Sequence, residues 1–136
     1  GTRLNARGVD LNRNFPSGRS GGGRPGDPEY PGTRPFSEPE TRLAAALIAR
    51  LRPDVTIWYH QPLSLVRAWG RSVHEARRYA RLAGLPFRRM PWLAGTAPNW
   101  QNHRTAGASF VVELPPGPLA PGVAARHAGA VLRLSQ

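Results

Sequence analysis

An α/β fold, part of a mixed, mostly parallel sheet flanked by helices, is what this sequence predicts. Three observations carry that expectation. Segments 54–60 and 108–114 are β-branched and aromatic on both faces, the pattern of strands covered from two sides. Other segments repeat their apolar residues at helical spacing. Strand and helix patterns alternate along the chain, as layered α/β domains require. Two or three strands do not complete such a sheet, so residues 1–136 are expected to be the C-terminal portion of a single larger domain, with N-terminal strands missing.

Residues 8–15, Gly-Val-Asp-Leu-Asn-Arg-Asn-Phe, are polar and apolar by turns and too short for a helix. From Gly18 to Pro35 the density of glycine and proline defeats helix and strand alike, and a long irregular loop is expected. A helix follows. Ser37 is its expected N-cap, Glu40 closes a capping box, and Pro39 sits in a first turn that loses no intrahelical donor. Leu43, Ala44, Leu47, Ile48 and Leu51 form one apolar face, and Arg52-Pro53 stops the helix. A second helix runs from about Ser72 to Ala83, with Glu75 completing another capping box and Gly84 as its stop. Val73, Ala76, Ala80 and Ala83 mark its buried side. Leu85 to Arg89 fits a short edge strand, Pro115-Pro116 end the strand at 108–114, and a last helix spans about Pro121 to Leu134.

The 136 residues include 19 basic and 8 acidic side chains, 40% hydrophobic residues and no cysteine. Disulfide and cysteine-metal scaffolds are thereby excluded, and no stretch approaches the ~18 apolar residues of a membrane-spanning helix. A net charge of +11 invites a nucleic-acid reading. Every basic residue is an arginine, however, scattered from Arg3 to Arg133 with no dense block. The charge is therefore read as a general pull on anionic substrates or surfaces, and no nucleic-acid partner is expected.

In open α/β sheets ligands collect outside the carboxyl ends of the strands, and both apolar strands end there in an ionisable residue, His60 and Glu113. A carboxylate at the end of an apolar strand is costly unless paired or bound to something. The alternatives are a Glu emerging into solvent and a His that only makes a structural hydrogen bond. His74, His103 and His127 show no ligand spacing and read as surface or core residues. Asn12 beside Arg13 supplies an amide and a planar guanidinium, which together grip a carboxylate at two points, and Arg3 adds a second cation. A solvated turn with incidental arginines is the alternative. Trp92 and the run Pro98–His103 fit either a wall of a side-chain pocket or a capped helical turn with a core tryptophan.

Arg3, the run 8–15, Tyr-Pro-Gly at 30–32, Pro-Phe-Ser-Glu-Pro-Glu-Thr at 35–41, Ile-Trp-Tyr-His at 57–60 and Val-Val-Glu-Leu-Pro at 111–115 stand together in one order. In order and approximate spacing the set resembles the zinc carboxypeptidase family, the M14 metallopeptidases, and in style its murein peptide amidase branch, which cuts cell-wall peptides. The resemblance implies one zinc ion, with His60 as its third protein ligand. It implies Glu113 as the general base that takes a proton from the zinc-bound water and returns it to the leaving amine. Arg3 would stabilise the oxyanion, and Asn12 and Arg13 would hold the free carboxylate of a peptide substrate. The first two zinc ligands are expected from a His-x-x-Glu motif upstream of Arg3. No histidine of this chain has an acidic residue three positions on, so the chain alone is expected to be inactive. Many members also carry a mobile tyrosine before the catalytic Glu, and none stands here between Met90 and Glu113. The rival expectation is a catalytically inactive relative that binds peptide carboxylates.

Overall fold

The structure, a computed structural model, describes residues 3–18 and 21–136. Gly1, Thr2, Arg19 and Ser20, the last two within the expected loop, lie outside the described residues. In chain order the helices are α1 (Pro39–Leu51), α2 (Val73–Ala83), α3 (Ala97–Arg104) and α4 (Pro121–Leu134). The strands are β1 (Val55–His60), β2 (Leu65–Ala68), β3 (Phe87–Arg89) and β4 (Ala108–Glu113). Two compact units divide the chain, one of residues 1–54 and 92–107, the other of 55–91 and 108–136.

The first unit is built on loops tied by side chains. Asn14, with no exposed surface, is its centre. Its amide NH2 donates to the carbonyls of Pro31 and Arg34 and to Ser37 Oγ, while its Oδ1 accepts from the Glu38 N–H and from Thr41 Oγ1. Gly32 passes so close to Asn14 and Ser37, at a φ of +83°, that any side chain there would collide with both. The network also corrects the expected cap of α1. Glu38, not Ser37, is the N-cap residue and makes no side-chain cap bond, because the Ser37 hydroxyl is engaged with Asn14 and the Glu38 carboxylate. The apolar face expected on α1 is largely uncovered among the described residues. Leu43, Leu47 and Leu51 are 72%, 44% and 62% exposed, and only Thr41 and Ile48 are buried.

One short element of this unit differs from expectation, and a second settles on the helical alternative. The run 8–15 does hold one helical turn, a 3-10 turn at Leu11–Arg13 capped by the Asp10 carboxylate accepting from the Asn12 N–H. The segment around Trp100 forms α3, whose first N–H, that of Ala97, donates to Asn12 Oδ1. Trp100 packs against the rings of Phe15 and Phe36 at centroid distances of 5.5 and 5.7 Å.

The second unit is a four-stranded mixed sheet in the order β1-β4-β2-β3. β1 pairs with β4 in parallel, β2 with β3 in parallel, and β2 with β4 antiparallel. The sequence reading missed β2, a strand of four residues with an arginine in it. β3 is an edge strand, as expected. β4 is buried throughout except at Ala108, whereas β1 is the other edge of the described sheet and is only half-buried. Strand side chains alternate between faces. The Phe110 ring packs on Tyr79 of α2 at 5.6 Å, so Phe110 and Val112 face the helices, and Ser109, Val111 and Glu113 face the other way. α2 packs on β2, β3 and β4, and α4 packs on α2. The four apolar residues expected on the inner side of α2 are all buried. The helix ends at Gly84 with a φ of +65°, but Ser72 does not cap it: its hydroxyl donates to the Trp69 carbonyl.

Candidate active site

His60 and Glu113 are register partners. They end the adjacent parallel strands β1 and β4, so backbone pairing alone sets them side by side on one face, away from α2. Two further contacts fix this end of the sheet. The Leu114 N–H donates to the His60 carbonyl at 2.7 Å. The Gln61 amide donates to the carbonyls of Pro115 and Gly117, tying the turn after β1 to the turn after β4. On the same face, Trp58 Nε1 donates to Ser109 Oγ at 2.9 Å. Glu113 is 4% exposed. The alternative of a carboxylate emerging into solvent therefore does not describe it.

Sequence reasoning missed the cation beside that carboxylate. Arg67 of β2 is the register partner of Val111, hence on the Glu113 face, and its Nη2 lies 3.5 Å from Glu113 Oε1. The available signal was an arginine inside the short apolar run Leu65-Val66-Arg67-Ala68, where a charge is costly without a partner.

In the first unit the three remaining candidates are already engaged by protein groups. Arg3 Nη2 lies 2.6 Å from Asp10 Oδ2 and 3.4 Å from Glu29 Oε1. Arg13 Nη2 lies 2.6 Å from the same Glu29 oxygen, and its Nη1 donates to the Asn12 carbonyl. Asn12 Oδ1 accepts from α3, which leaves its NH2 as the end that can donate to a ligand. One carboxylate, Glu29, thus bridges two guanidiniums of opposite burial: the Arg13 side chain is 10% exposed and that of Arg3 is 53% exposed. Glu29 itself is 59% exposed, and an ion pair that open to water is worth only ~0–1 kcal/mol. A competing carboxylate can displace it. Nearby, burial opposes ionisation of Glu38, but hydrogen bonds from Asn5 and Ser37, with Arg7 and Arg42, outweigh it and hold its carboxyl below the ordinary value.

The remaining histidines behave as surface or core residues. His74 is exposed beside Glu75, and His103 is exposed on α3. His127 is buried under α2, where its Nδ1 lies 2.6 Å from the Tyr79 hydroxyl, itself 3.0 Å from that of Tyr59. Burial, with Arg126 beside it, lowers the His127 imidazole below its ordinary value. Burial and the Tyr59 contact raise the Tyr79 phenol.

A catalytic zinc takes three protein ligands and a water. Among the described residues no three of His, Cys, Asp and Glu stand together to hold a metal ion. The pair at the strand ends offers one imidazole and one carboxylate, the carboxylate already facing Arg67. These residues do not by themselves make a zinc site. Nor, among the described residues, is any helix long and apolar enough to cross a membrane.

Comparison with known proteins shows the family and the fold. The zinc carboxypeptidase family, Peptidase_M14, matches over residues 1–114. Murein peptide amidase A of Escherichia coli (strain K12) is 36% identical over 80 residues, which cover 48% of this chain and 32% of that protein. The crystal structure of murein-tripeptide amidase MpaA from Escherichia coli O157 superposes with a TM-score of 0.68 at 24% identity, covering 96% of this chain and 58% of that one. Carboxypeptidase A from Helicoverpa armigera gives a TM-score of 0.79 at 16% identity, over 93% of this chain and 41% of that one. At such identities the superpositions speak to the fold. The chain spans about a third of the curated relative and under two thirds of the amidase structure.

Proposed function

The chain belongs to the zinc carboxypeptidase family, and from that premise we propose that its protein is a metallocarboxypeptidase that hydrolyses C-terminal or near-terminal peptide bonds. Murein peptides, the class named for the Escherichia coli relatives, are its proposed natural substrates. The observation that carries the reading is the pairing of His60 with Glu113 at the carboxyl ends of two parallel strands.

Glu113 acts as the general base and acid: its carboxylate accepts the proton of the attacking water and delivers it to the leaving amine. Arg3 serves the oxyanion and Arg13, with the Asn12 NH2, the substrate's terminal carboxylate, each exchanging Glu29 for the incoming anion. His60 is proposed as one zinc ligand; among the described residues no three of His, Cys, Asp and Glu stand together to complete the set. The buried, ion-paired carboxylate favours the enzyme over an inactive carboxylate-binding relative.

The decisive test is Glu113→Gln in the protein with all residues that flank this chain. Metal content should be unchanged while peptide hydrolysis falls by at least ~10²-fold, the low end for an acid–base group. Activity within a few-fold of the parent removes Glu113 from the mechanism.

A further inference from the structure

Arg67 is only partly accounted for by its contact with Glu113. The two groups stand at 3.5 Å, an ion pair looser than a good charge-assisted hydrogen bond. Arg67 Nε is buried and has no hydrogen-bond partner among the described residues. A buried donor left unpaired costs free energy, and such groups in folded proteins call for a specific explanation. The edge of a guanidinium made of Nε and one Nη is the fork that receives a carboxylate at two points.

Charge on this face of the sheet points the same way. β2 and β3 are parallel with Arg67 opposite Arg88, so Arg88 projects from the same face, one strand farther out. On this face of β4, β2 and β3 one carboxylate, Glu113, thus stands against two guanidiniums. The Arg67 side chain is 20% exposed.

We infer that Arg67 is a specificity-determining residue that takes a second carboxylate, carried by the substrate as an acidic side chain next to the bond that Glu113 serves. The inference rests on the proposed peptidase reading for its reaction but not for its binding. Glu113 needs no change of partner in it: one Nη2 hydrogen stays on Glu113 while Nε and the other Nη2 hydrogen receive the substrate.

The test uses two peptides that differ only in a terminal Glu or Gln, a change of charge at constant shape. Binding to the metal-free protein is measured by calorimetry, and hydrolysis by the metal-loaded protein is measured separately. The parent should bind the Glu peptide about tenfold more tightly, the low end for a hydrogen bond to a charged group, and Arg67→Gln should bring the ratio to within about twofold. Arg67→Lys, which keeps the charge and loses the fork, should retain only part of the ratio; it also serves if Arg67→Gln does not fold. Equal binding by the parent overturns the inference, as does a ratio undiminished in either variant. Loss of hydrolysis on both peptides with the ratio intact likewise overturns it and leaves Arg67 as a positioning residue for Glu113. A parent that cleaves neither peptide but shows the binding ratio, lost in Arg67→Gln, refutes the peptidase reading and supports this one.

Discussion

The two units hold their candidate residues by different physics. In the second unit His60 and Glu113 are placed by a backbone ladder, so their juxtaposition is as rigid as the pairing of β1 with β4. In the first, Arg3, Asn12 and Arg13 stand on loops, and side-chain hydrogen bonds centred on Asn14 and Asp10 do the placing. The ladder tolerates many side chains and fixes position through N–H and C=O groups that every residue but proline carries. The loop unit depends on particular side chains. Substitution should therefore damage structure in the first unit and chemistry in the second.

The largest expected effect breaks the loop unit. Asn14→Ala strands the buried Glu38 N–H and takes the donor from two part-buried carbonyls, those of Pro31 and Arg34, and unfolding stability should fall by about 3 kcal/mol, measured by urea titration. A fall below ~1 kcal/mol would mean that the loops are held otherwise. Next, Arg13→Ala should weaken hydrolysis of free-carboxylate peptides by about 10- to 100-fold relative to the same peptides amidated, the worth of a charged hydrogen-bonded contact. Equal losses on both kinds would remove Arg13 as the carboxylate anchor.

The helix side of the sheet unit offers a pH test. His127 has a folded-state value below its ordinary 6.5, so the folded protein binds its proton less readily than the unfolded chain. Its stabilising contribution is present above that ordinary value and is lost as pH falls through and below it. Melting temperature should drop between about pH 7.5 and about pH 5 more in the parent than in His127→Gln, which keeps a partner for Tyr79 without titrating there. A parallel decline in the two proteins would assign the acid sensitivity to other groups. The smallest effect is expected at the exposed bridge. Glu29→Gln should lower KM for free-carboxylate peptides by at most about fivefold and leave kcat unchanged, since the pairs it removes are worth ~0–1 kcal/mol. A raised KM would make Glu29 a partner of the substrate rather than its competitor.

Much of this was legible in the residues. Strand patterns at 54–60 and 108–114, the glycine stop at Gly84 and the last helix all depend on local preference, which a short window of sequence contains. Ser37 and Ser72 misled as helix caps because capping is a competition, and here Asn14 and the Trp69 carbonyl win the hydroxyls. β2 stayed hidden because four residues interrupted by an arginine carry no period, and only pairing with β4 makes them a strand.

By itself the sequence determined the α/β class, three of the four helices (α1, α2 and α4) and the family, since these follow from periodicity and from motifs whose residues lie close along the chain. Only the tertiary structure decided that His60 stands opposite Glu113, that Arg67 faces the same carboxylate and that Glu29 sits between two guanidiniums. Those are contacts between residues far apart in sequence, fixed by strand register and loop closure. No local pattern of amino acids encodes either one.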